Sequence, residues 1–457
     1  MNKGALEKEI EKAFEAPAQL LEEAVDRVRE NEKKLISKAP FKRAEEYWNT
    51  LGPGLTTGAA DDDPSGIATY SQAGARYGFQ LIWTSFFTFP LMAVVQEMCA
   101  RIGIVSGQGL AANIRSHYPA RILYAVTALL FAVNAFTIAA NLGAMAAATR
   151  LLLPAASSEM LVIFFALFSL FLQIFTTYAR YAKYLKYLAL GLLSYVAVAL
   201  SLGLDWGDVF RHLVLPSITA SKEQFFLLAA ILGTTISPYL FFWQTSQEVE
   251  ERIAQGGATV VYRSEINNKT MRRMRIDVWS GMFFSNLITF FIFAATAGTL
   301  YAYGIRDIVT VEQAALALRP FGEFAFWLFA AGIVGTGLLS VPVLAGSAAY
   351  ALAESFKWKY GLYLKLKQAR AFYGVIIVSM LLGIAANFIG LDPIRGLIYA
   401  AVGNALIAPF VLFFVVRIAG RKSIMGRYAS HPLISFAGWF TILVMAASGA
   451  AAIWAVV

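Results

Sequence analysis

The chain has 457 residues, 58% of them hydrophobic and 15% charged, with 38 Lys and Arg against 29 Asp and Glu, and a mean hydropathy of +0.60. Soluble domains carry about 25% charged residues and split into several cores beyond roughly 250–300 residues, so this composition excludes an ordinary soluble protein. The single Cys99 excludes an internal disulfide framework, and the net charge of +9 reads as Lys and Arg gathered on one side of a membrane rather than as a nucleic-acid surface.

The first 47 residues are charged and read as a cytoplasmic, helical extension. Glu7, Glu11 and Glu15 recur at helical spacing, Leu20, Leu21, Val25 and Val28 give a narrow apolar stripe, and Pro17 interrupts the pattern. The first apolar run begins only near Trp48, so no cleavable secretory signal is expected. From there to residue 457 the chain reads as one all-α polytopic membrane domain. About 20 mostly apolar residues cross a bilayer. Eleven such spans are expected, at roughly 48–76, 79–105, 121–151, 159–178, 183–204, 223–250, 276–303, 321–355, 371–390, 393–417 and 433–456.

Lys and Arg set the orientation. With the N-terminus inside, the cytoplasmic segments hold 31 of them and the outer segments 7. Cytoplasmic loops carry the excess, so the N-terminus is expected inside and the C-terminus outside a cell (plasma or inner) membrane. The lipid bilayer is thus a partner, nucleic acid is not, and a monomer is expected.

Two spans are interrupted. The first carries Asp61-Asp62-Asp63-Pro64-Ser65-Gly66 near its middle, and the sixth carries Gly233-Thr234-Thr235-Ile236-Ser237-Pro238-Tyr239. A proline inside a helix lacks an N–H and clashes with the preceding turn, so each span must break or kink; Gly66 and Gly233 are expected to ease the unwinding. Freed backbone groups at this depth are tolerable only where they line a protein cavity. Pro64 and Pro238 stand 174 residues and five spans apart. An odd number of spans per repeat makes two halves of opposite topology, expected over about 48–204 and 223–417 with an extra helix at 433–456. Interrupted spans at matching places in two such halves point to the central site of a secondary transporter.

An Asp at a helix centre costs about 2.5–3.5 kcal/mol on the insertion scale and marks function by default. No Lys or Arg lies in the middle of any span. A carboxylate beside exposed carbonyls, at the negative end of a half-helix, calls for a mobile cation. Asp63 is the main candidate and Asp62 a second. The plain alternative for Asp61 and Asp62 is that they solvate the break. Several other features read as structural. Cys99 reads as a packed residue, Glu97 as an ion-pair partner of Arg101, Asn404 as a helix–helix hydrogen bonder, and Gly332–Gly337 as close packing rather than a phosphate loop. The three histidines lie between the apolar runs, and no catalytic constellation or cofactor motif is present, so an enzyme is not expected.

Gly52-Pro53-Gly54, Asp63-Pro64, Ala68-Thr69, Gln72-Ala73-Gly74 and Tyr77-Gly78 together resemble the first span of the natural resistance-associated macrophage protein (NRAMP) family of divalent-metal transporters. The resemblance covers about residues 48–456. It implies a LeuT-like 5+5 inverted repeat, with metal bound between helices one and six where these unwind near the midplane. It also implies that carbonyls of Ala60 and Thr234 complete the metal shell.

The departures bear on the ion. The family's Asp-Pro-Gly-Asn reads Asp63-Pro64-Ser65-Gly66, so Gly66 stands in place of an Asn ligand. Its Met-Pro-His reads Ser237-Pro238-Tyr239, a second His falls at Gln244, and the acids of its third span fall in Asn141-Leu142-Gly143-Ala144. The candidate metal-site residues are therefore Asp63, Ser237, Ala60, Thr234, Asp62 and Gly66, with Tyr239, Gln244 and Asn141 lining the pathway. Losing a soft thioether leaves oxygen donors, which suit Mg²⁺, Ca²⁺ and Mn²⁺. A roomy oxygen site fits partly hydrated Mg²⁺, a pattern similar to the NRAMP-related magnesium transporters. Lost titratable groups imply uptake without proton coupling. A proton-coupled Mn²⁺ or Fe²⁺ importer, a sodium-coupled organic-solute carrier and a non-transporting metal sensor stay open as alternatives.

Overall fold

The structure is a computed structural model that describes residues 52–176, 192–254, 266–322, 324–390 and 392–457. The N-terminal extension and the first part of the fifth expected span lie outside the described residues.

The first span consists of two half-helices, α1 (Pro53–Asp61) and α2 (Pro64–Tyr77). It is followed by α3 (Trp83–Ser106), α4 (Ala120–Arg150) and α5 (Ser158–Phe175), and α6 (Leu193–Ser201) is the described part of the fifth span. The sixth span is again two half-helices, α7 (Lys222–Thr235) and α8 (Pro238–Ala254). The remaining spans are α9 (Asn268–Thr296), α10 (Phe324–Phe356), α11 (Arg370–Asn387), α12 (Pro393–Gly420) and α13 (Pro432–Val456). Among the described residues nine helical segments, with α7 and α8 counted as one, are long and apolar enough to cross a membrane. The two expected spans not among these nine are the broken first span and the fifth, of which only the later part is described.

Both prolines open a helix rather than sit inside one. Pro64 and Pro238 each take the first helical position, where a missing N–H costs nothing. The breaks fall at Asp62–Asp63 and at Ile236–Ser237, so neither expected glycine lies at one. Gly66 is helical in α2. Gly233 is helical in α7, and a Cβ there would lie 2.0 Å from the Ala401 carbonyl oxygen of α12. Its bare backbone serves close packing, the usual use of small residues between membrane helices.

The same device seats α1 on α9. A Cβ at Gly54 would lie 2.6 Å from Val278 Cα, and one at Gly58 would lie 2.3 Å from the Gly281 carbonyl oxygen. Asp277 completes the contact, accepting from Gly54 N at 2.6 Å and Leu55 N at 3.0 Å. Those amides belong to the first turn of α1, where N–H groups have no intrahelical partner.

Helix α9 begins at Asn268, eight residues before the expected 276. Its early turns bring Arg275 and Trp279 to Glu97, at 2.9 and 2.8 Å, beside the expected Arg101 pair at 3.8 Å. Cys99 is fully buried, as a packed residue should be. Asn404 is buried on α12, but its Oδ1 has no hydrogen-bond partner.

Candidate metal site at the crossed helix breaks

The two breaks lie against each other. Ser65 Oγ of α2 is 3.2 Å from Thr234 Oγ1 of α7, and the Tyr70 hydroxyl is 2.9 Å from Thr235 Oγ1. On the other side of the break, Tyr239 of α8 donates to the Ala60 carbonyl oxygen of α1 at 3.2 Å. The C-terminal ends of α1 and α7 and the N-terminal ends of α2 and α8 therefore all meet here, the first two adding partial negative charge and the second two partial positive charge.

The carboxylates are buried and point apart. Asp63 caps α2: its Oδ1 accepts from Gly66 N at 2.9 Å and from Ser65 Oγ at 2.5 Å. Its Oδ2 accepts from Asn141 Nδ2 of α4 at 3.1 Å, and the same amide reaches Ser340 Oγ of α10 at 3.2 Å. Asp61 and Asp62 turn instead to Ser285 of α9, which lies 2.8 Å from Asp61 Oδ2 and 3.1 Å from Asp62 Oδ1. Asp61 Oδ1 and Asn141 Oδ1 are buried without a partner. Leaving a buried polar atom unpaired costs about 1–3 kcal/mol, and more for a charged one. Among the described residues no Lys or Arg forms an ion pair with any of the three Asp side chains. No three His, Cys, Asp or Glu side chains converge on one point there either.

All the sequence-named residues meet at these breaks or just inside them. Asp62, at 7% exposed, is the most open of the named side chains. The Ser237 hydroxyl turns back into its own helix end, donating to the Gly233 and Thr234 carbonyls at 2.8 Å each. In this conformation it holds the Thr234 carbonyl rather than projecting across the break. Gly66 sits in the angle between the two spans: a Cβ there would lie 3.3 Å from Thr234 Oγ1 and 3.7 Å from the Asp61 carbonyl oxygen. Gln244 lies one and a half turns further along α8. It accepts from Thr57 Oγ1 at 2.5 Å and donates to Glu248 Oε1 at 2.9 Å, making a polar ladder between α1 and α8.

Sequence reading passed over Ser65, Ser285 and Asp277. A hydroxyl beside an Asp-Pro pair and an acid at the start of an apolar span were the available signals. Ser65 bonds Asp63 only two residues away, but Asp277 and Ser285 were hidden because they act across the fold, Ser285 on residues 223 and 224 positions away.

Two interrupted helices crossing at mid-span, with acids and helix carbonyls at the crossing, give the chain the fold of the LeuT-like membrane transporters. The chain belongs to the natural resistance-associated macrophage protein-like family, whose model matches residues 54–455. It is 27% identical over 411 residues to the divalent metal cation transporter MntH of Klebsiella pneumoniae (strain 342), covering 86% of this chain and 91% of that one. To the same-named protein of Deinococcus radiodurans it is 25% identical, covering 88% and 89%. In fold it resembles the Eremococcus coleocola manganese transporter, with a TM-score of 0.68, 17% identity, and 87% and 84% of the two chains covered. The likeness extends to Mhp1, a nucleobase-cation-symport-1 family transporter, with a TM-score of 0.54, 13% identity, and 89% and 92% covered.

Proposed function

We propose that this protein imports divalent metal cations across the cell membrane, with partly hydrated Mg²⁺ as its principal cargo, by alternating access and without proton coupling. One observation carries the reading: three consecutive buried carboxylates, Asp61 and Asp62 at the C-terminal end of α1 and Asp63 at the cap of α2, have no Lys or Arg partner among the described residues. Ion pairing inside a membrane normally comes from the protein; here a mobile cation supplies it.

The donors around the break favour a hard ion. Asp63, Ser65, Thr234, Ser237, Asn141 and Ser285 offer carboxylate, hydroxyl and amide oxygen, alongside the carbonyls of Ala60 and Thr234. Mg²⁺ keeps several waters and binds through one or two carboxylates. Asp63 is the direct carboxylate, with Asp62 and Asp61 drawing the ion in. The Thr57–Gln244–Glu248 ladder lines the inward path, opened when α1 and α8 move against the scaffold. An inside-negative membrane potential of 100 mV drives a divalent ion inward by about 4.6 kcal/mol. The unit of transport is the monomer.

In proteoliposomes, Mg²⁺ influx is expected to exceed Mn²⁺ and Ca²⁺ influx, to rise with an inside-negative potential, and to leave lumenal pH unchanged. Acidification in step with metal entry would reject uncoupled transport. Mn²⁺ is the second reading, favoured by the family relationship and by the manganese transporter among the structural neighbours; faster Mn²⁺ flux in the same series would select it.

Gly66 tests the hydration argument. Gly66→Asn places an amide oxygen near Asp61 and Thr234, at the price of shifting the Tyr70 ring edge and Thr234 Oγ1, 3.2 and 3.3 Å from the added Cβ, by a few tenths of an ångström. Each protein ligand added displaces a water, which Mg²⁺ surrenders reluctantly. The ratio of Mg²⁺ to Mn²⁺ uptake should fall about tenfold, on the order of 1.4 kcal/mol. An unchanged ratio would remove Gly66 from the site.

A further inference from the structure

On the exposed apolar side of the helix bundle, α4, α12 and α13 line a groove of about 630 Å³. Its walls include Ile122, Leu129, Phe410, Phe413 and Ile442, and one charged residue, Arg121, lies at its end. Arg121 is in the first turn of α4, and Phe410 to Phe414 lie within ten residues of the end of α12. At 1.5 Å per residue the groove runs inward from that surface by about 13–20 Å, roughly one leaflet of a 30 Å hydrocarbon core.

The end of the groove is basic and uncompensated. Arg417 follows Phe413 by four residues on α12 and so sits one turn above it on the same face. Arg421 and Lys422 come next in the chain. All four basic side chains are exposed, and Arg121 and Arg417 have no carboxylate partner among the described residues. The sequence offers none nearby: no Asp or Glu occurs in residues 120–150 or 393–457. Trp439 of α13, 42% exposed, packs on Phe413 with ring centroids 5.8 Å apart. An amphipathic indole at the rim marks the level of the lipid headgroups.

We propose that this groove is a binding site for one anionic glycerophospholipid, with an acyl chain along Phe410 and Leu129 and the phosphate between Arg121 and Arg417. Apolar walls alone accept any lipid tail. The unpaired guanidiniums select the headgroup, because each basic residue at the membrane surface adds about 1 kcal/mol toward an anionic lipid. Guanidinium groups also bind phosphate oxygens in a two-pronged geometry that ammonium groups do not match.

The test is native mass spectrometry of the full chain, released from micelles holding equal palmitoyl-oleoyl phosphatidylglycerol and phosphatidylcholine. One phosphatidylglycerol should be retained per monomer in preference to phosphatidylcholine. The double variant Arg121→Gln, Arg417→Gln should lose about 30-fold of that preference, which is about 1 kcal/mol per arginine. Ala125→Phe, which fills the groove from an exposed position, should displace both lipids. Equal retention of the two lipids by the unaltered chain overturns the proposal, as does a preference that survives the double substitution. So does a dimer that Ala125→Phe dissociates, since a second copy would then cover the groove. The unaltered chain alone decides the first outcome, so a variant that fails to fold leaves the test intact.

Discussion

Asp63→Asn should lower divalent-ion uptake by on the order of 100-fold, about 3 kcal/mol, while the chain still folds. Asn caps a helix as well as Asp does, so the bond from Gly66 N, 2.9 Å in the native chain, has an acceptor in the variant. The change removes the charge. Removing one partner of a buried, hydrogen-bonded charge pair typically costs 2–5 kcal/mol. The new amide would also face Asn141 Nδ2, donor against donor, at the place where Oδ2 now accepts at 3.1 Å. A modest stability loss of about 1–2 kcal/mol is therefore expected beside the functional one. Proteoliposome flux and a thermal melt of the same preparation separate the two effects. Normal flux from Asp63→Asn would remove this carboxylate from the cation's path.

Gly58→Ala should destabilise the fold by about 2–3 kcal/mol and cut uptake several-fold. The added Cβ would meet the Gly281 carbonyl oxygen at 2.3 Å, and backbone on both sides leaves nothing flexible to yield. Helix α1 must then lift from α9, carrying Asp61 and Asp62 away from Ser285 and straining the Asp277 bonds to Gly54 and Leu55. Gly374→Ala is the matched control, since a Cβ there has nothing within 4 Å. A melt shifted equally by both substitutions would mean that α1 does not depend on this contact.

Much of the candidate site was legible because its signals are local. A charge in an apolar run, or a proline at mid-span, reports its cost regardless of what packs around it. Asp63, Pro64 and Pro238 could be read in that way. The direction of each side chain could not. Asp61, Asp62 and Asp63 are consecutive in sequence, yet the break sends the first two to Ser285 on α9 and the third to Asn141 on α4. Ser237, which by sequence faces the break, instead spends its hydroxyl on the two carbonyls behind it. Whether a hydroxyl bonds forward or back depends on the dihedral angles of the turn, set by what packs on it.

By itself the sequence determined the membrane class, the apolar segments that cross, and the two places where a helix must stop. Hydropathy and proline chemistry act over a few residues and need no partner. Only the tertiary structure decided which faces of the broken helices meet, why Gly58 and Gly233 carry no side chain, and that Asp277 holds the start of α1. These are contacts between segments more than 150 residues apart. Their geometry exists only once the spans are packed, when the need to pair every buried polar group selects among many arrangements equally compatible with the apolar pattern.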